Sequence, residues 1–278
     1  MISVPQAPAY CTIQDLGWRH LRSAGMPVSG VMDPWASAAA NRMVGNPTDA
    51  AVFEWALTGG RLHFECDAVV AICGPGIEVT HGMHAGEELV LPRPTAGRFL
   101  YMAVRGGVDT PTTLGSRSTY LAAGLGHAIR TGDRLPIGSL PTSAATRPGN
   151  LPPYDAGVVR VIEGPQRSLF PDAEWKRFLR TPWKVSRASD RMGYRLECEG
   201  ALKAPAADLL SEPACVGAIQ VPPDGMPIVL MADGPTVGGY PKIAAVITAD
   251  LPILAQRLPG AAVQLQVTTV AEAQALIR

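Results

Sequence analysis

The chain has 278 residues, 47% of them hydrophobic and 17% charged, and its 24 Lys+Arg balance its 24 Asp+Glu. That balance, with no basic run to track a phosphate backbone, speaks against a nucleic-acid partner, and no apolar run reaches the ~18 residues of a membrane span. The length suits two domains or one large one with ample core, and 29 Gly with 26 Pro favour many strands joined by turns over a helical protein.

Residues 1–33 read as loop, with Gly17, Gly25, Pro27 and Gly30 at short intervals. The next stretch predicts a helix over 34–45, with Asp33 as N-cap, Pro34 at the first helical position and Gly45 as stop. Strand candidates follow at 51–57, 61–65, 68–73, 77–80, 88–91 and 99–104. Gly59-Gly60, Gly74-Pro75-Gly76, 92–97 and Gly106-Gly107 separate them, the spacing of a barrel or sandwich. Residues 139–153 are the most linker-like part of the chain. Beyond them strands are expected at 158–163, 183–186, 195–198, 218–221 and 263–270, and short helices at 172–180, 251–257 and 271–278. The halves are faintly alike, which makes two similar barrels the expected arrangement.

One loop stands out. Ile228 to Ala232 and Lys242 to Thr248 are apolar, β-forming runs, and between them lies Asp233-Gly234-Pro235-Thr236-Val237-Gly238-Gly239-Tyr240-Pro241. Its glycines allow a tight turn and the close approach of a ligand to backbone. Asp233, Thr236, Tyr240 and Lys242 supply a carboxylate, two hydroxyls and an ammonium.

Standard signatures are missing. No P-loop, GxGxxG, HExxH or GxSxG is present. His81 and His84 form a lone HxxH with no nameable third ligand, so they read as surface histidines and no metal is expected. Cys11, Cys66, Cys73, Cys198 and Cys215 make no CxxC; with no secretory leader visible, reduced thiols and a cytoplasmic location are expected. Three polar clusters remain: 12–17 with 25–33, Gly115 to Tyr120, where hydroxyls bracket an arginine able to grip an anion, and Ser189 to Leu196, which crowds charge into one turn.

In order, TIQDLG, G-x-P-x-SG-x-MD, AAANRMVGN, GSRSTY, SDRMGYRLE, GAIQVPPDG-x-PI and GGYPKIA run from Thr12 to about Ala245. Together they resemble the biotin-dependent carboxyltransferase family, in the branch of 5-oxoprolinase C subunits, KipA and allophanate hydrolase subunit 2. The resemblance implies a mainly β fold of two cyclophilin-like β-barrel subdomains with a few short helices. Residues 1–140 would be the first barrel, like carboxyltransferase subdomain C, and 154–278 the second, like subdomain D, with 141–153 as linker. It implies one subunit of an ATP-dependent 5-oxoprolinase that opens 5-oxoproline to L-glutamate. The other two would be a KipI-like protein and a LamB/YcsF-type protein, with ATP bound together with those partners. The alternative is a carboxyltransferase that accepts carboxyl from carboxybiotin in trans, as in urea carboxylase. A third reading is a non-catalytic antagonist of a KipI-type kinase inhibitor.

On motif match and residue type, Asp190, Arg191 and Lys242 are the expected catalytic residues. Gln14, Asp15, Ser29, Arg117, Tyr194, Gly238, Gly239 and Tyr240 are the expected substrate-binding ones. The turn at Asp190 to Tyr194 and the loop at 238–242 are expected to meet at one barrel mouth. Pro235-Thr236-Val237 departs from the Gln-Thr-Thr the family usually carries there.

Overall fold

The computed structural model describes residues 1–139, 143–205 and 209–277. Short strands dominate, and the described helices are few: Pro34–Met43, Asp172–Arg180, Leu251–Ala255 and Val270–Ala275, besides 3-10 turns. The chain divides into two compact units, Met1–Arg19 with Ser29–Leu151, and His20–Val28 with Pro152–Arg278.

The first unit holds two antiparallel sheets. The smaller runs Glu88–Leu91, Gly60–Phe64, Ile2–Gln6, Arg134–Leu135; the larger runs Tyr10–Gln14, Val52–Ala56, Phe99–Val104, Ala68–Gly74, Ile77–Met83. Alternation along Gly60–Phe64 turns Leu62 and Phe64 inward while Arg61 faces solvent. With Ile2, Val4 and Leu91 they share one core with Ile13, Phe53, Trp55, Val70, Ile72 and Met102 of the larger sheet. Burial of each such side chain contributes about 1.5–3 kcal/mol. Phe99–Val104 is buried at every position, because one face meets that core and Pro34–Met43 packs on the other. Three of this helix's four alanines, Ala36, Ala39 and Ala40, are fully buried and permit close approach.

The helix begins where the residues predict. Asp33 Oδ1 accepts from the Trp35 and Ala36 amides at 3.1 Å each. Glu54, buried in mid-strand, holds the preceding loop: its Oε2 accepts from Met32 N at 2.7 Å and from the Tyr101 hydroxyl at 2.8 Å. The helix stops at Gly45, whose φ of 77° suits glycine. Residues 143–151 are tied to this helix end, with Thr146 N donating to Arg42 O at 2.9 Å; residues 140–142 of the expected linker lie outside the described residues.

The second unit is a closed seven-strand barrel in the order Val158–Glu163, Lys242–Val246, Ala218–Gln220, Ile228–Leu230, Gly193–Glu197, Trp183–Val185, Ala262–Val267. Among these described strands only the closing pair, Val158–Glu163 with Ala262–Val267, is parallel. Val161, Trp183, Val185, Tyr194, Leu196, Ile219, Val229 and Ile243 are wholly buried, as inward residues of a small barrel must be. Asp172–Arg180 turns Trp175 and Phe178 inward, and the Trp183 indole NH donates to Phe178 O at 2.8 Å. Outside the barrel, Glu212–Pro213 and Val237–Gly238 pair as a two-stranded ribbon. Among the described residues no helix is long and apolar enough to cross a membrane.

Candidate functional site

The apolar run Lys242 to Val246 is a barrel strand that starts with its one charge. Its register sets Lys242 opposite Gln220, at a bulge in the ladder with Ala218–Gln220. Both are buried, at 5% and 4% exposure. A buried ammonium needs an acceptor, and Lys242 Nζ donates to Glu212 Oε1 on the ribbon. Gln166 joins them. Its Nε2 donates to the same Glu212 oxygen at 2.5 Å, while its Oε1 accepts from Lys242 N at 3.1 Å. The Lys242 hydrogen bond, with help from Gln166, holds the Glu212 carboxyl below its ordinary range.

Gln220 is the exception in this network. Its Nε2 is buried without a hydrogen-bond partner among the described residues. A Cβ on Gly238 would lie 2.6 Å from that nitrogen, so the glycine keeps backbone close to the amide without filling the space over it. Gly239 faces Leu209, whose carbonyl oxygen would stand 3.2 Å from an added Cβ. Tyr240 is 47% exposed and borders the loop on its solvent side. An ammonium and a carboxamide at one barrel end make a pair of N–H donors suited to a carbonyl or carboxylate oxygen.

The other second-unit candidates have local duties. Asp190 is exposed, and its Oδ1 accepts from Met192 N at 2.8 Å and Gly193 N at 3.2 Å, an Asx turn. Arg191 makes a buried bidentate pair with Asp233, both N···O distances being 2.9 Å. Tyr194 is fully buried, and its hydroxyl donates to Ala255 O at 2.6 Å. The barrel does not bring this turn to Lys242. Gly193 stands opposite Leu230, whereas Gln220, beside Lys242, stands opposite Ile228. The turn therefore leaves one end of these strands while Lys242 opens the other. The expected single mouth for 190–194 and 238–242 is corrected to two ends of one barrel.

The first-unit candidates form a knot of their own. Asp15 Oδ1 accepts from Gly17 N at 2.8 Å, Ser116 Oγ at 2.5 Å and Ser118 Oγ at 2.6 Å, and Oδ2 from Arg117 N at 2.7 Å. Gln14 is fully buried and donates to Thr12 Oγ1 and Thr119 O at 3.0 Å each. Ser29 Oγ reaches Thr119 O at 3.4 Å. The Arg117 guanidinium is paired with Asp109. It borders a cavity of about 280 Å³ lined also by Thr110, Thr119 and His127. TIQDLG, SG and GSRST thus tie one loop crossing together. Among the described residues no cluster of His, Cys, Asp or Glu suits a metal ion, and His84 pairs at 3.7 Å with Asp67 on the surface.

The expected site residues include Lys242, Gly238 and Gly239 but leave out Gln166, Glu212 and Gln220, although Gln220 lies within the motif GAIQVPPDG. The signal for Gln220 is a polar residue inside the apolar strand 218–221; Gln166 and Glu212 carry none.

A family model described as "Carboxyltransferase domain, subdomain A and B" matches residues 24–267. The C subunit of the Escherichia coli (strain K12) 5-oxoprolinase is 38% identical over 271 residues, 92% of this chain and 87% of that protein. The crystal structure of TTHA0988 aligns at TM-score 0.85 and 31% identity, over 95% of this chain and 55% of that one. The K. lactis urea amidolyase aligns at TM-score 0.86 and 28% identity, over 98% of this chain and 19% of that one. The chain therefore spans most of the bacterial relative, about half of TTHA0988 and a fifth of the urea amidolyase.

Proposed function

Because the chain belongs to the carboxyltransferase-domain family, we propose that it is a cytoplasmic component of an ATP-dependent 5-oxoprolinase, converting 5-oxoproline to L-glutamate with a KipI-like and a LamB/YcsF-type partner. The observation that carries this reading is the 38% identity to a 5-oxoprolinase C subunit over 92% of the chain. The barrel end at Lys242 supports it chemically. An amide carbonyl is a poor electrophile, and ATP, bound with the partner subunits, supplies the phosphoryl group that activates its oxygen. This chain's part is to hold substrate. Lys242 and Gln220 take its oxygens, and Gly238 and Gly239 let it lie against backbone. Asp190 and Arg191 serve the same barrel from its other end by fixing the turn and the Asp233 pair.

A second reading is carboxyl transfer from carboxybiotin supplied by a separate carrier, favoured by the fold match to the urea amidolyase. The same donors suit an N-carboxyl group. Glutamate release from 5-oxoproline and ATP, measured with the chain alone and with both partners, separates the two. Release is expected only when all three subunits are present. Absence of release, together with bicarbonate- and biotin-dependent ATP turnover, selects carboxyl transfer.

A further inference from the structure

Lys242 and Glu212 differ in how they are held. The lysine side chain is 6% exposed and its strand is part of the closed barrel, whereas the glutamate side chain is 40% exposed and sits on the separate ribbon. Among the described residues, the ribbon's two strands pair with each other and with no barrel strand. One oxygen of Glu212 takes both the Lys242 and the Gln166 donors. The third donor, Gln220 Nε2, is left without an acceptor among the described residues. A buried donor left unsatisfied is a standing cost that a ligand oxygen can remove. The space beside it is kept open by Gly238, where a Cβ would come within 2.6 Å of that nitrogen.

We infer that this barrel end is a carboxylate-binding site, that Glu212 stands in for the ligand in the free chain, and that a ligand carboxylate displaces it, one oxygen on Lys242 and the other on Gln220. The inference rests on the reading of this end as the working site, and adds its ligand class and the residue that competes for it. A single buried cation matches a single negative charge, which favours a carboxylate over a phosphate dianion. The stand-in is itself a carboxylate, held by charge-assisted bonds of the kind a ligand would make. Displacement returns Glu212 to water, where its charge is well solvated.

Calorimetric titration of the purified chain tests this with three probes: 5-oxo-L-proline, cyclopentanecarboxylate, which has the carboxylate and no lactam, and 2-pyrrolidinone, which has the lactam and no carboxylate. Glu212→Gln removes the competing charge. It should tighten both carboxylate probes about ten-fold, as expected for one charged hydrogen bond, and leave 2-pyrrolidinone unchanged. Gln220→Leu added to it should remove most of the gain. Glu212→Asp, which withdraws the carboxylate by one methylene, should give a smaller gain and provides the reading if Glu212→Gln does not fold. Carboxylate binding no tighter in either Glu212 variant overturns the inference, as does a gain that survives Gln220→Leu. If cyclopentanecarboxylate gains as much as 5-oxo-L-proline and binds as well, the carboxylate site stands and the 5-oxoproline reading falls. Glutamate release by the full complex with no gain in the Glu212 variants gives the reverse.

Discussion

Gln220 and Gly238 are built around each other: the glutamine amide nitrogen stands 2.6 Å from where a Cβ of residue 238 would be. A methyl there must push the amide aside, and only the flexible end of one side chain has to move. Gly238→Ala should therefore cost about 1 kcal/mol in stability and lower carboxylate affinity by about ten-fold or more. Urea unfolding and ligand titration on the same preparation measure the two effects. Lost stability with unchanged carboxylate affinity would mean that Gly238 serves the fold alone.

Arg191 and Asp233 pair at about one-tenth side-chain exposure, 9% and 10%. Removing one partner strands the other as a buried charge, so Asp233→Ala should destabilise the second unit by about 3–5 kcal/mol. Replacing both, as Arg191→Met with Asp233→Leu, should recover much of the loss. Asp190→Ala removes two turn bonds at an exposed site and should cost about 1 kcal/mol, with little change in turnover. A large fall in turnover at unchanged stability would return Asp190 to a role in chemistry.

The helix and many strands were legible because their signals are local. Asp33, Pro34 and Gly45 mark the ends of Pro34–Met43, and apolar runs marked the Lys242–Val246 and Ile228–Leu230 strands. Tyr194 was not legible: its residue type suggested a substrate-binding hydroxyl, whereas Gly193–Glu197 alternates buried and exposed from Tyr194 onward and turns the ring inward. The ribbon partner of Gly238 was not legible. Glu212 lies beside a proline with no periodic pattern, and only the pairing with Val237–Gly238 brings it to Lys242. Likewise residues 20–28 group with the second unit through contacts far along the chain. Nor could the residues alone show that the Asp190 turn and Lys242 take opposite ends of a barrel, because that depends on register.

The Glu212–Lys242 bond gives stability a pH dependence of defined sign. The folded-state pKa of Glu212 lies below its ordinary value of 4.5, chiefly through the Lys242 hydrogen bond. Its contribution is therefore present above that ordinary value and is lost as pH falls through the folded-state pKa. Wild type should melt above Glu212→Gln at neutral pH, and the difference should close on acidification past pH 4.5. A difference that stays constant down to that acid range would show that the ion pair contributes nothing.

Burial divides the cysteines. Cys73 is fully buried and its thiol is pushed up to about 12, mainly by desolvation, while burial also raises Cys11. Cys66 and Cys215 are exposed. A thiol reagent at pH 8 should label Cys66 and Cys215 at once and Cys11 and Cys73 only on unfolding. Rapid labelling of Cys73 in the folded chain would contradict the packing of the first unit.

The most direct measurement is ATP-dependent glutamate release from 5-oxo-L-proline by the three-subunit complex assembled with Lys242→Met. That change keeps an apolar stem in the barrel and removes the ammonium. Fold and partner assembly should be like wild type, with kcat/KM lower by about a hundred-fold or more, the scale for losing a buried charged contact to substrate. Release at the wild-type rate from the Lys242→Met complex would contradict that role for Lys242.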